Sequence, residues 1–205
     1  MSLSGVLTSV FLVSIWIAVS FRIREAERRR PLLTIATCLL LIGCLLAQLR
    51  YPHLLIAFER DQRQVWNGEW WRIFTAVFFQ DGWILGGLTN IVWLAAIGNL
   101  CEQVWSRPEW LMVGLLGALT GELFGLSWEP VGAGNSIVTC ALAGSLLLRH
   151  RETSIAFHLL RILALIACVI LTVRRDIHGA AAISGIIVGF VRRTAVSARP
   201  TEEHN

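Results

Sequence analysis

Gly132-Ala133-Gly134-Asn135-Ser136 runs directly into the apolar stretch 137–148, and this junction decides how the rest of the chain reads. Glycines at 132 and 134 let the backbone pass close to another group. A serine in the first turn of a membrane helix lies beside N–H groups that have no helical partner, at the positive end of the helix dipole. Far downstream, His178 opens the last apolar segment in a matching way. The face below Ser136 carries Cys140, Ala143 and Gly144, and the face below His178 carries Ala181, Ala182, Gly185 and Gly189. Small residues at helical spacing let membrane helices approach closely, which would bring the two side chains at their tops together. A serine in a membrane helix more often bonds its own backbone, whereas a histidine there is by default a functional candidate. Taken jointly, the two point to a serine nucleophile activated by a histidine base.

Working outward, the 205-residue chain is 55% hydrophobic and only 16% charged, with a mean hydropathy of +0.63. A soluble domain of this size would lack the polar surface to cover such a core, so an all-α polytopic membrane protein is expected. All 18 basic residues are arginines, and they sit at segment ends, not on an aromatic-interleaved patch; the formal charge of +4 therefore gives no reason to expect nucleic acid as a partner. Cys38, Cys44, Cys101, Cys140 and Cys168 have neither C-x-x-C nor metal-ligand spacing and read as membrane packing residues. Gly114, Gly117, Gly121 and Gly125 are helix-spaced small residues and not a phosphate loop, so neither metal nor cofactor is expected.

Apolar periodicity gives seven spans, at about 3–21, 32–49, 83–100, 109–126, 131–148, 155–173 and 178–191. No basic residue precedes the first, so the charged start of a cleavable signal is missing. Arg22, Arg24, Arg28, Arg29 and Arg30 follow it and place that loop in the cytoplasm. Over the whole chain, inner segments hold 12 arginines and outer segments 6. The resulting topology puts Ser136 and His178 at the same outer depth. Residues 50–82 mix charges with Trp66, Trp70, Trp71, Phe74, Phe78 and Phe79, and read as an external, interface-lying loop in which Glu69 and Arg72 form organising hydrogen bonds. Asn90, an amide inside a span, is either interhelical glue or an oxyanion donor. Glu122 either lines a polar cavity or, as we expect, reaches the outer interface.

At these residues the chain resembles the rhomboid family of intramembrane serine proteases. Gly68-Glu69-Trp70-Trp71-Arg72 is similar to the family's W-R region, Asn90 to the asparagine of its H-x-x-x-N element, and Gly134-Asn135-Ser136 to the start of G-x-S-G, with Gly144 at the fitting distance. His178, Gly185 and Gly189 resemble the family's histidine helix. The resemblance implies a six-helix core over 32–193 with residues 1–31 as an extra N-terminal helix and basic cytoplasmic loop, and a cytoplasmic tail at 194–205. It also implies a Ser136–His178 dyad without a third acid, an oxyanion site at Asn90 and the Ser136 N–H, and supporting roles for Gly132, Gly134, Cys140 and Gly185. The substrates it implies are transmembrane proteins entering from the lipid bilayer. With no targeting segment visible, a bacterial plasma membrane is the expected location, and the arginine bias puts the site toward its outer face. Three residues depart from the family pattern: Ile137 follows the serine where glycine is expected, Gly86 stands where an oxyanion histidine is expected, and Cys140 stands where an aromatic that packs on the histidine is common. The alternative reading is a catalytically inactive rhomboid-like protein that binds transmembrane segments.

Overall fold

A computed structural model of the chain describes residues 2–20, 29–148 and 154–197. The arginines expected in the cytoplasm at 22–28, the inner loop at 149–153 and the tail from 198 lie outside the described residues. In an apolar medium each segment must satisfy its own backbone, which favours helices. The chain forms α1 (Leu3–Ser20) and α2 (Leu32–Arg50), then the short helices α3 (His53–Phe58), α4 (Gln62–Trp66) and α5 (Arg72–Thr75) with a 3-10 turn at Ala76–Phe78. A two-residue strand, β1 (Arg60–Asp61), lies between α3 and α4. The long helices resume with α6 (Trp83–Val104) and α7 (Arg107–Trp128), followed by strand β2 (Val131–Gly132), α8 (Ser136–Leu147), α9 (Ile155–Val173) and α10 (Ile177–Ser197). Helices α1, α2, α6, α7 and α9 are long and apolar enough to cross a membrane, and α8 is apolar but shorter. The chain is an all-α polytopic membrane protein.

Local chemistry explains several helix ends. At the start of α7 the Glu109 carboxylate accepts from the Ser106 N–H at 2.9 Å and from its hydroxyl at 2.7 Å, and Pro108 sits in the first turn. Helix α2 has no cap of its own. Instead the buried Glu102 carboxylate of α6 accepts from the N–H groups of Leu33 (3.2 Å) and Thr34 (2.7 Å), placing negative charge at the positive end of α2.

Helix α8 is the centre of the bundle. It packs against α10, α7, α6 and α1, and nearly every residue from Ile137 to Leu147 is buried. A helix that is apolar on all sides belongs in such a place. Close approach to α10 depends on glycine: a Cβ added at Gly185 would strike the Ala141 carbonyl, one at Gly144 the Ala182 carbonyl, and one at Gly189 the Ser145 carbonyl. Gly185→Leu is therefore expected to lower stability by about 3 kcal/mol or more, the upper range for overpacking, because backbone must move. Thermal unfolding in detergent checks this against Gly43→Leu, whose added side chain starts in open space.

Two sequence expectations need correction. The fifth span begins at Ser136, not near 131, because Val131 and Gly132 pair antiparallel with Asp61 and Arg60; backbone that hydrogen-bonds to the external loop cannot also join the helix. Glu122 does not reach the outer interface. It is buried at 1% exposure and pairs with Arg60, equally buried, at 2.8 Å. Arg60 enters from β1, and its guanidinium lies where a Cβ on Gly125 would be. Burying one charge requires the other. The expected organising role of Glu69 and Arg72 appears as a 2.6 Å ion pair; Arg72 also donates to the carbonyls of Ile56 (2.8 Å) and Glu59 (3.0 Å), holding the loop to itself.

Candidate active site

The glycine-rich approach to α8 is strapped to the end of the external loop. Gly134 N–H donates to the Ala76 carbonyl at 3.1 Å, and Asp81 N–H donates to the Ala133 carbonyl at 3.3 Å. Ala133 N–H returns a bond to the Asp81 carboxylate at 3.2 Å. Gly134 has φ 157°. A Cβ there would stand 3.4 Å from Asn90 Nδ2 and 3.6 Å from Ser136 Oγ, so glycine keeps the space between them open. Gly132 passes closer still to the Arg60 guanidinium, 2.9 Å from Nη2 to the place of a Cβ.

Beside this strap lies an amide network in which Gln48, Gln80 and Asn135 are buried and Asn90 is half-buried. Gln48 clasps the backbone of Gln80, donating from Nε2 to its carbonyl at 2.7 Å and accepting its N–H at 2.9 Å. Gln80 Nε2 donates to Asn135 Oδ1 at 2.9 Å, Asn90 Nδ2 donates to Gln80 Oε1 at 2.8 Å, and Asn135 Nδ2 donates to the Asn90 carbonyl at 3.3 Å. The network joins α2, the external loop, α6 and the start of α8, so it fixes Asn90 relative to Ser136.

His178 is brought to the same place by a tight turn. Helix α9 ends with Arg175 in the left-handed region (φ 58°), its N–H bonded to the Thr172 carbonyl and the Asp176 N–H to the Leu171 carbonyl, both at 3.0 Å. This is the paired closure of a Schellman end. Asp176 then caps α10, its Oδ1 accepting the His178 N–H at 2.9 Å. The same oxygen lies 2.6 Å from His178 Nδ1, and His178 Nε2 lies 2.8 Å from Ser136 Oγ. A carboxylate that accepts the Nδ1 proton leaves Nε2 as the acceptor for the serine hydroxyl. Burial pushes the Asp176 carboxyl upward, but hydrogen bonds from the His178 ring, its charge, the Ser4 hydroxyl and the His178 N–H outweigh it and hold Asp176 below the ordinary aspartate value.

Among the residues singled out from the sequence, Ser136, His178, Asn90 and Gly134 meet here. Cys140 is fully buried one turn below Ser136. Gly185 lies away from the cavity, at the crossing with α8. Ile137 does not crowd the site: its side chain packs where a Cβ on Gly121 of α7 would be. Gly86 faces open space. The pair without a third acid, implied by the resemblance, becomes a line of three with Asp176. Its sequence signal was present, an aspartate two residues before His178 at a helix start. Gln48 and Gln80 had no such signal.

Two cavities meet at Asn90, Ser136 and His178. One, of about 250 Å³, lies against α1 and α6. The other, of about 350 Å³, extends past Gly86 and Gly134 toward Arg60, Asp81 and Glu129. Comparison with protein families finds that the Rhomboid domain matches residues 67–199, a stretch that includes Asn90, Ser136 and His178. A search of curated proteins finds no match.

Proposed function

Because the chain belongs to the rhomboid family, we propose that it is an active intramembrane serine endopeptidase, hydrolysing peptide bonds in or near transmembrane segments of other membrane proteins. The observation that carries this reading is the 2.8 Å approach of His178 Nε2 to Ser136 Oγ at the start of α8. Ser136 Oγ attacks the scissile carbonyl carbon while His178 Nε2 takes its proton. The same proton passes to the leaving amine as the C–N bond breaks, giving an acyl-enzyme. Water, deprotonated by His178, then releases the acid and restores Ser136. Asp176 holds the imidazole in the tautomer that this cycle needs.

The oxyanion would take its donors from the Ser136 N–H and Asn90 Nδ2. An amide nitrogen has two hydrogens; one is committed to Gln80 and sets the plane, leaving the other for substrate. Asn90→Ala is expected to lower kcat about 10²-fold with little change in KM, measured on a reconstituted single-span substrate. We place residues 1–31 as an extra helix with a cytoplasmic loop, 32–193 as the core with its external loop at 50–82, and 194–205 as a cytoplasmic tail, in a bacterial plasma membrane with the site toward the outer face.

The test is made on the full chain in proteoliposomes with a fluorophosphonate probe and a single-span substrate. The reading expects Ser136 to become phosphonylated and the substrate to be cut near or within its span. A protein that binds the substrate, yet neither cuts it nor reacts with the probe, would be the inactive rhomboid-like alternative.

A further inference from the structure

The matched domain begins at residue 67, so α1 lies outside it. Nevertheless α1 is built into the site. Ser2 Oγ accepts the Gly5 N–H at 3.1 Å and closes the first turn of the helix. From that turn the Ser4 hydroxyl donates to Asp176 Oδ2. Asp176 Oδ1 is the oxygen that serves the His178 backbone and ring. The two carboxylate oxygens are therefore pinned from two helices, one by α10 and the other by α1. One face of α1, with Ser4, Gly5, Thr8 and Ser9, forms a side of the cavity whose other walls include Asn90 and Ser136. The register is fixed farther along, where Phe11, Leu12, Ile15 and Val19 are buried as α1 packs against α9, α8 and α6. Slippage by one turn would carry Ser4 about 5.4 Å away from the carboxylate.

Resting on the protease reading, we infer that α1 is a working wall of the active site, and that Ser4 is a positioning residue that holds Asp176, and through it His178, in line with Ser136. With Oδ2 released, the carboxylate can turn about its side-chain bond. The Nδ1 contact then loosens and proton transfer from Ser136 is less often aligned. The chain of contacts Ser4–Asp176–His178–Ser136 makes the first helix part of the catalytic machinery, not an appendage to it.

The experiment measures the rate of Ser136 phosphonylation by a fluorophosphonate on the full chain, a step in which the Oγ–P bond forms, fluoride leaves and His178 takes the hydroxyl proton. Ser4→Ala and Ser4→Val should each react about tenfold more slowly, the scale for losing one hydrogen bond to a charged group. Ser4→Thr should react at the wild-type rate. Valine and threonine share a shape, so a packing role would affect both alike. In an Asp176→Asn background Ser4→Ala should cost nothing further, because coupled residues are non-additive. Val6→Ala, on the exposed side of α1, is the control. A reactive wild type with unchanged Ser4→Ala and Ser4→Val rates overturns this inference alone, as does a Ser4→Ala loss of full size in the Asp176→Asn background. A wild type that never reacts overturns the protease reading and this inference with it.

Discussion

Ser136→Ala and His178→Ala are each expected to abolish cleavage of a transmembrane substrate, with kcat falling about 10⁴–10⁶-fold. The size follows from what each side chain does. Without Oγ there is no atom to form the acyl-enzyme, and without Nε2, now 2.8 Å away, nothing takes the proton from a hydroxyl that is a weak nucleophile by itself. The two losses should not multiply: the double variant should be no slower than either single one, because both remove the same step. Substrate binding should survive, since neither residue anchors a helix. Ser136→Ala removes a single hydrogen bond, costing about 1 kcal/mol of stability. The measurement is kcat and KM in proteoliposomes, with thermal unfolding alongside. Cleavage that persists in Ser136→Ala would assign the nucleophile to another residue.

Asp176→Asn should produce the next largest effect, lowering kcat about 10³-fold with KM nearly unchanged, somewhat below the loss seen when a triad aspartate becomes asparagine. An asparagine can present its amide nitrogen to His178 Nδ1 across the present 2.6 Å contact. That would drive the ring proton to Nε2, which then donates toward Ser136 when it should accept. Because Oδ1 serves both the His178 N–H and its ring, an amide nitrogen turned toward Nδ1 gives up the cap of α10, so thermal unfolding is measured beside kcat to separate the cost to folding, about 1 kcal/mol for a lost cap, from the cost to chemistry. Asp176→Ala loses the cap as well and supplies the comparison for that cost. A wild-type kcat in Asp176→Asn would mean that the carboxylate only caps the helix. There is a matching stability signature. The Asp176 carboxyl is held below its unfolded value, so its contribution is complete above the unfolded pKa and disappears as the pH falls through the folded one.

How much of this could be read from sequence differs sharply between residues. Ser136 and His178 were legible because each sits at the head of a helix with a small-residue face, and the distribution of arginines put both heads at one depth. The glycine faces gave the α8–α10 crossing for the same reason: helical spacing is a local pattern. What was not legible required partners from distant segments. Nothing near Gln80 says that its side chain will join Asn135 to Asn90, and nothing near Arg60 says that it will reach across to Glu122. A hydropathy reading sends Glu122 to the interface because it cannot see the guanidinium that makes burial tolerable. Asp176 lies only two residues before His178, but its place as helix cap and ring partner depends on the turn by which α9 delivers it. The first helix is the extreme case. Its apolar residues repeat all round, so periodicity shows that it spans and gives no sign of which groove it enters.

The brevity of α8 has one more consequence. Its 12 residues extend only about 18 Å, against a hydrocarbon thickness near 30 Å. About 12 Å of hydrocarbon is therefore left beyond the ends of α8, and irregular backbone survives at such a depth only if protein or trapped water satisfies it. The β1–β2 pair and the glutamine–asparagine network do that here. On the proposed protease reading, a peptide bond must descend into the bilayer to reach Ser136, and thickening the membrane should bury that serine further without altering a single contact inside the protein.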